Sequence, residues 1–454
     1  MERVSVFGLG KVGLALAACL ADAGSQVIGV DADARVVDDI NQGQPAFAEP
    51  DAVERVVRSL GSRLTATCDA DKAVHDSDLT FVVVPTPSNT MGGFSLRYVR
   101  RACEQIGSAL RYKGDYHVIA IVSTMLPGSS EYIIMPYLEQ MSGRAIGDTL
   151  GYCYNPAFIA LGEVVKGFTN PDYVLIGESD TNAGDRVQAA HEVITHHHPP
   201  VARMSPVEAE ITKIASNSHD SMRVSFANML FSLCTDIPGT DVDRITSALA
   251  HRVGKRFFRG AVPYGGPCWP RDNIALAVLM DAVGVSSTLP RAVDQVNAEH
   301  GKYVLRKILE MTRRGGAVGL LGLAYKPGTP VVERSFGIDL AGWLSAEGRH
   351  VIAWDPLAIP QTRAILGDKI SYAVSGNDCI QRSEAIVIVN AMPELEKCDW
   401  TALGDRTVVD CWRCLSREHI IKIRDYRPLG RGGAWNGETL LNKIHMGRLH
   451  LLAD

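Results

Sequence analysis

Short apolar runs separated by longer amphipathic stretches recur in two regions of the chain. In the first, residues 4–7, 27–30, 79–84 and 118–122 read as strands; in the second, 318–323, 350–354, 385–389 and 407–409 do. Runs of this length with helical sequence between them are the pattern of parallel sheets covered by helices on both faces. Between the two regions, residues 207–233 carry the apolar spacing of one long helix, and more helical sequence follows Pro270. The regions also echo each other. Val4-Ser-Val-Phe-Gly-Leu-Gly leads to Val27-Ile-Gly-Val-Asp31, and Val318-Gly-Leu-Leu-Gly-Leu leads to His350-Val-Ile-Ala-Trp-Asp355. Each reads strand, glycine turn, helix, strand, acid.

The expected fold is therefore α/β, with two Rossmann-like doubly wound domains joined by a central helical domain with a long helix. Its expected divisions are residues 1–199, 200–301 and 302–454, a layout suited to a chain of 454 residues. The formal net charge of -5 argues against a general nucleic-acid or membrane-surface binder. No apolar stretch is long enough to span a bilayer, and the N-terminal residues show no secretory pattern. Ten scattered cysteines suit a reducing cytosol, so the expected location is cytoplasmic. Cys411 and Cys414 have CxxC spacing without a second pair, and His196, His197 and His198 lack carboxylate or cysteine partners nearby. No metal site is expected from either group.

Three segments carry chemistry. Gly8-Leu-Gly10-Lys-Val-Gly13 follows a strand and opens a helix, leaving helix N-terminal amides for a pyrophosphate. Asp31 ends the next strand, where a carboxylate bonds ribose hydroxyls and repels a 2′-phosphate; this favours NAD over NADP, with nearby Arg35 pulling the other way. Gly265-Gly-Pro-Cys268-Trp-Pro270-Arg-Asp272 sets a cysteine at the start of a helix, where the positive end favours thiolate. On that segment alone, a buried structural cysteine explains it equally well. Lys213 and Asn217 lie one helical turn apart, and an ammonium beside an amide can hold a developing oxyanion. A solvated polar face is the plain alternative.

Taken together, these segments resemble the UDP-glucose/GDP-mannose dehydrogenase family through nearly the whole chain. The resemblance continues through Asn41-Gln-Gly-Gln, Glu49-Pro50, Val84-Pro-Thr86-Pro87, Ser123-Thr124-Met-Leu-Pro127-Gly128 and Asn155-Pro156-Ala157-Phe158-Ile159. It extends to Ser225-Phe-Ala-Asn228, His251-Arg252-Val-Gly254, Tyr264-Gly265 and Gly322-Leu-Ala-Tyr325-Lys326. The resemblance implies a four-electron oxidation of a nucleotide sugar's C6 alcohol with two NAD, through a Cys268 thiohemiacetal and thioester. It implies catalytic roles for Cys268, Lys213, Asn217, Asp272 and Thr124. It implies cofactor contacts from Gly8, Gly10, Gly13, Asp31, Thr86, Thr124 and Arg334. Substrate contacts are implied for Phe158, Ile159, Lys213, Asn217, Arg252, Tyr264, Gly265, Lys326 and Arg413, and the assembly is expected to be a homodimer, with Arg252 reaching a neighbour's substrate.

The sequence departs from the family where a glutamate usually follows Asn-Pro and another stands four residues later: here they are Ala157 and Leu161. The first is generally assigned to thioester hydrolysis, so an impaired last step is expected. The family's Arg-Glu-Ser reads Glu333-Arg334-Ser335, with the charge order reversed, and Met229 replaces a common acid. Two other readings compete: a catalytically degenerate protein that binds NAD and a nucleotide sugar, and a two-electron hydroxy-acid dehydrogenase.

Overall fold

Eight strands of the first half form one sheet: β1 (Arg3–Phe7), β2 (Gln26–Val30), β3 (Leu64–Thr67), β4 (Leu79–Val82), β5 (His117–Ile121), β6 (Leu150–Tyr154), β7 (Val174–Glu178) and β8 (Val201–Met204). They lie in the order β3-β2-β1-β4-β5-β6-β7-β8. Every pairing is parallel except β6 with β7. β4, β5 and β6 are buried along their whole length, as strands covered on both faces must be. The helix Lys11–Asp22 explains how that cover fits. Its buried residues include Ala15, Ala17, Ala18 and Ala21, small enough to bring the helix backbone close to the sheet.

A second sheet holds β9 (Ala317–Leu321), β10 (His350–Trp354), β11 (Ser371–Tyr372), β12 (Ala385–Ile388), β13 (Thr407–Asp410) and β14 (Asp425–Pro428). Its order, β11-β10-β9-β12-β13-β14, repeats that of the first six strands of the other sheet, and all its pairings are parallel. The repeated strand, glycine turn, strand, acid pattern is thus a repeated Rossmann-like topology. In each sheet the order reverses beside the first strand, between β1 and β4 and between β9 and β12. Crevices at such reversals are where α/β proteins hold ligands.

This computed structural model describes residues 2–45 and 49–433, and residues 434–454 of the expected last domain lie outside them. Contacts divide the chain into two units, Met1–Ser216 and Asn217–Asp454. The long helix is Pro206–Asp236, with 31 residues. It is followed by the helices Val242–Val253, Trp269–Ala282 and Thr288–Met311. Among the described residues, no helix is long and apolar enough to cross a membrane.

Candidate active-site residues in the two units

In the first unit, steric demand explains the glycine turn. Gly8 has φ 93°, and a Cβ there would stand 2.4 Å from the Val83 carbonyl oxygen. A Cβ on Gly13 would lie 1.8 Å from the Gly8 carbonyl oxygen. Gly10 is different: a Cβ there would meet nothing within 4 Å, and Gly10 caps the Lys11–Asp22 helix without any side-chain hydrogen bond. The space beside Gly10 at the helix start is therefore open, and no side chain caps the first amides, an arrangement that suits a pyrophosphate. Asp31 sits at the end of β2. One of its oxygens accepts from Leu9 N at 2.8 Å and the other from Asp33 N at 3.0 Å. A carboxylate has about four lone-pair sites, so both oxygens keep capacity for a ribose diol. Arg35 is turned to Asp33, its guanidinium 2.8 Å from that carboxylate, in an exposed pair. These residues fit NAD.

The second unit carries the same acid in a different state. Asp355, buried at the end of β10, accepts from four backbone amides: Leu323 at 2.8 Å, Ala324 at 3.1 Å, Leu357 at 2.9 Å and Ala358 at 3.0 Å. The helix Phe336–Ala346 is capped by the Ser335 hydroxyl, which accepts from Gly337 N and donates to the Leu323 carbonyl. The two features that fit a dinucleotide in the first unit are thus occupied by the protein itself in the second.

Thr86 and Thr124 follow β4 and β5 beyond the carboxyl ends of these strands in the first sheet. The Thr86 hydroxyl donates to the Thr124 carbonyl at 2.8 Å, and the Ser123 hydroxyl donates to the Val84 carbonyl at 2.6 Å. The segment after β6 is held by Asn155, buried, which donates to the Leu175 carbonyl and accepts from the His191 ring. Lys213, itself buried, donates to the Ala157 carbonyl at 2.8 Å, and its ammonium stands 4.5 Å from the centre of the Phe158 ring. Phe158 packs on Tyr173, while Ile159 packs inward, against Gly167. Ala157, Phe158, Tyr173 and His191 also line one small cavity.

In the second unit, Cys268 is exposed at the N-cap of the Trp269–Ala282 helix, and Pro270 occupies its first turn, where a missing amide is harmless. The glycines before it are packed: a Cβ on Gly265 would lie 1.9 Å from the Arg334 carbonyl oxygen, and one on Gly266 2.5 Å from the Tyr325 ring. Arg334, whose side chain is exposed, has φ 48°, a left-handed conformation. Asp272 is fully buried. It accepts from Asn217 Nδ2 at 2.6 Å and from Arg271 Nε at 3.0 Å. Tyr264 donates its hydroxyl to Asp294 at 2.7 Å, and burial pushes the phenol's pKa up. Arg252 is exposed in the last turn of the Val242–Val253 helix.

Arg413 departs from its expected place. It is buried, with φ 51°, and its guanidinium is spent on Asp243, the carbonyls of Cys411 and Leu429, and the Gly260 carbonyl. A guanidinium with these partners is a clamp within the unit, not a ready phosphate contact. Its neighbours Cys411 and Cys414 belong to a turn wound around Asp410, which accepts from the amides of Trp412 and Cys414. Sequence reasoning missed Glu210, a fully buried acid in the long helix. Its signal was available: a carboxylate three residues before Lys213, one turn away on the same helix.

The chain matches three models of the UDP-glucose/GDP-mannose dehydrogenase family: the NAD binding domain over residues 2–195, the central domain over 207–299 and the UDP binding domain over 319–417. It is 32% identical over 434 residues to the UDP-glucose 6-dehydrogenase AglM of Haloferax volcanii, covering 94% of this chain and 100% of that one. It is 32% identical over 359 residues to a GDP-mannose 6-dehydrogenase of Pseudomonas aeruginosa, covering 78% and 81%. A solved UDP-glucose dehydrogenase from the archaeon Pyrobaculum islandicum superposes with a TM-score of 0.86 at 31% identity, covering 95% of this chain and 98% of that one.

Proposed function

This chain belongs to the UDP-glucose/GDP-mannose dehydrogenase family of NAD-binding oxidoreductases, and from that membership we propose that it oxidises the C6 alcohol of a UDP-sugar to the carboxylate through a sulfur-bound intermediate. A UDP-hexose is the first substrate to try and a UDP-N-acetylhexosamine the second, since the UDP-glucose dehydrogenases of Haloferax volcanii and Pyrobaculum islandicum are 32% and 31% identical to this chain over 94% and 95% of it. We keep the three-part division at 1–199, 200–301 and 302–454, the homodimer and the cytoplasmic location as parts of this reading.

The carrying observation is the nucleophile loop: Cys268 exposed at a helix N-cap, one turn from an Asp272 held by Asn217. When bound on the Gly8, Gly10, Gly13 and Asp31 cradle, NAD supplies a hydride acceptor for each of two oxidations. Lys213 stabilises the alkoxide formed as the C6 hydroxyl passes its proton to solvent water, and Thr124 orders the bound reactants. Cys268 Sγ then adds to the aldehyde carbon, and the carbonyl oxygen becomes the oxyanion that Lys213 and Asn217 stabilise. This addition lets the same carbon lose hydride again and leaves a thioester on Cys268. Water adds to the thioester carbon, the C–S bond breaks, and the sulfur regains a proton. Asp272 orients that water, limited by its two existing hydrogen bonds; Ala157 offers no side-chain base. Incubating the protein with NAD and a panel of nucleotide sugars, read by NADH absorbance, tests the reading. UDP-sugars should give NADH; a panel without any response refutes it.

A further inference from the structure

Glu210 is a charged group that neither the cofactor cradle nor the nucleophile loop accounts for. It projects from the Pro206–Asp236 helix, is fully buried, and lies one turn before Lys213. Its carboxylate accepts three hydrogen bonds from one short segment: Gly128 N at 2.6 Å, Ser130 N at 2.8 Å and Ser130 Oγ at 2.7 Å. The Ser130 hydroxyl also meets the Tyr152 hydroxyl at 2.7 Å. Burying a carboxylate is costly unless it is paired or fully hydrogen-bonded, so three directed donors are a built arrangement rather than a chance contact.

The segment held in this way begins with Ser123 and Thr124 and runs into the π-helix Ser130–Ile134. Its near end is tied by Ser123 to Val84 and by Thr86 to the Thr124 carbonyl. Its far end is tied through Gly128 and Ser130 to the long helix and through the Ser130 hydroxyl to Tyr152. Gly128 has φ 88°, and in this turn the amides of Gly128 and Ser130 both face Glu210 while that of Ser129 bonds the Leu126 carbonyl. Such converging amides commonly receive an anion; here the protein supplies one itself. The same helix, one turn on, carries Lys213.

We infer that Glu210 is a positioning residue for the proposed oxidation, locking the Thr124 segment and Lys213 into one register through a shared carboxylate anchor. This rests on the dehydrogenase reading for the roles of Thr124 and Lys213, whereas the anchor itself does not. Burial raises the pKa of Glu210, and the Ser130 and Gly128 donors oppose that shift; Glu131 and Tyr152 are the other ionisable groups facing it. The carboxylate form is the one whose oxygens can accept from all three donors.

Glu210→Gln keeps the shape but turns an amide NH2 toward a backbone donor. Hydrogen–deuterium exchange in residues 123–134 of the full chain should then quicken by about tenfold or more, the loss expected when one buried bond fails. In single turnover, NADH formation should slow by about tenfold or more while NADH binding changes less than about threefold. Ser130→Ala removes one donor and should shift the same readouts in the same direction by less. It also decides the matter if Glu210→Gln folds poorly. Exchange in 123–134 that stays within about twofold of the parent in both variants overturns the anchor. Quickened exchange with an unchanged NADH rate overturns the positioning role. A parent that oxidises no nucleotide sugar overturns the dehydrogenase reading, and the exchange result still decides the anchor.

Discussion

The ammonium of Lys213 donates to the backbone carbonyl of Ala157 at 2.8 Å. A candidate oxyanion-stabilising group is therefore tied to the position where the resembled family carries a glutamate. With alanine there, the loop offers Lys213 a carbonyl and offers water no base. Ala157→Glu should speed thioester hydrolysis, by the roughly 10²–10⁴-fold that general-base help contributes, and leave the first burst of NADH little changed. Steady-state and burst rates measured together check this. A steady rate unmoved by the substitution would place the hydrolytic base elsewhere.

Cofactor choice follows from the capacity left on Asp31. A 2′-phosphate would meet this carboxylate, and like charges about 4 Å apart cost roughly 1–4 kcal/mol at effective dielectrics of 80 to 20. Arg35 is already paired with Asp33. NAD should exceed NADP in kcat/KM by about tenfold or more. Equal efficiency would show that Arg35 leaves Asp33 to meet the phosphate.

Much of this arrangement is legible in the sequence. The strands rich in Val and Ile and the glycine turns declare themselves, because the steric demand falls on the residue itself, as at Gly8 and Gly13. β6 was not legible: Leu150-Gly-Tyr-Cys-Tyr154 is buried throughout, and Tyr152 tolerates burial because its hydroxyl meets Ser130. β14, Asp425–Pro428, is an edge strand without a buried apolar run. The clamp at Arg413 depends on Asp243, 170 residues away in sequence, and no local pattern announces such a partner. Nor does sequence separate Asp31 from Asp355. The echo is real, but the number of amides each acid receives is set by the turn beside it.

The Asn217–Asp272 pair supports a sharper substitution. Asn217→Asp sets a second carboxylate where an amide now donates at 2.6 Å to a fully buried acid. Two such charges cannot both remain ionised, and a donor is lost from the oxyanion set. NADH formation should fall by about 10²-fold. Activity within about fivefold of the parent would remove Asn217 from the site.

The long helix exposes Phe226, Met229 and Leu233 at 47%, 49% and 53%, three apolar residues at spacings that share one helix face. A second copy of this chain would cover them, in keeping with the proposed homodimer. Sedimentation equilibrium should give twice the chain mass, and Met229→Glu should shift the balance toward monomer. A fully active monomer contradicts the proposal.

Three buried histidines set an acid limit. Burial lowers His117 to about 3, and His191 and His300 to about 4, from an ordinary value near 6.5. The unfolded chain therefore binds more protons than the folded one from pH 6.5 downward. The stability they contribute is whole above pH 6.5 and is lost as pH falls toward 4, and toward 3 for His117. Each contributes a slope of up to about 1.4 kcal/mol per pH unit. The urea midpoint should drop between pH 7.5 and pH 5.5; an unchanged or higher midpoint contradicts neutral burial.

The central claim is that Cys268 carries the sugar between two oxidations. Mixing the protein with NAD and a UDP-hexose, counting NADH by absorbance and weighing the protein intact, tests it in one experiment. The account predicts a burst of two NADH per chain and a mass increase equal to the nucleotide-sugar acyl group, located on Cys268 and absent in Cys268→Ala. One NADH for each sugar consumed, with no adduct and with Cys268→Ala as active as the parent, would contradict it.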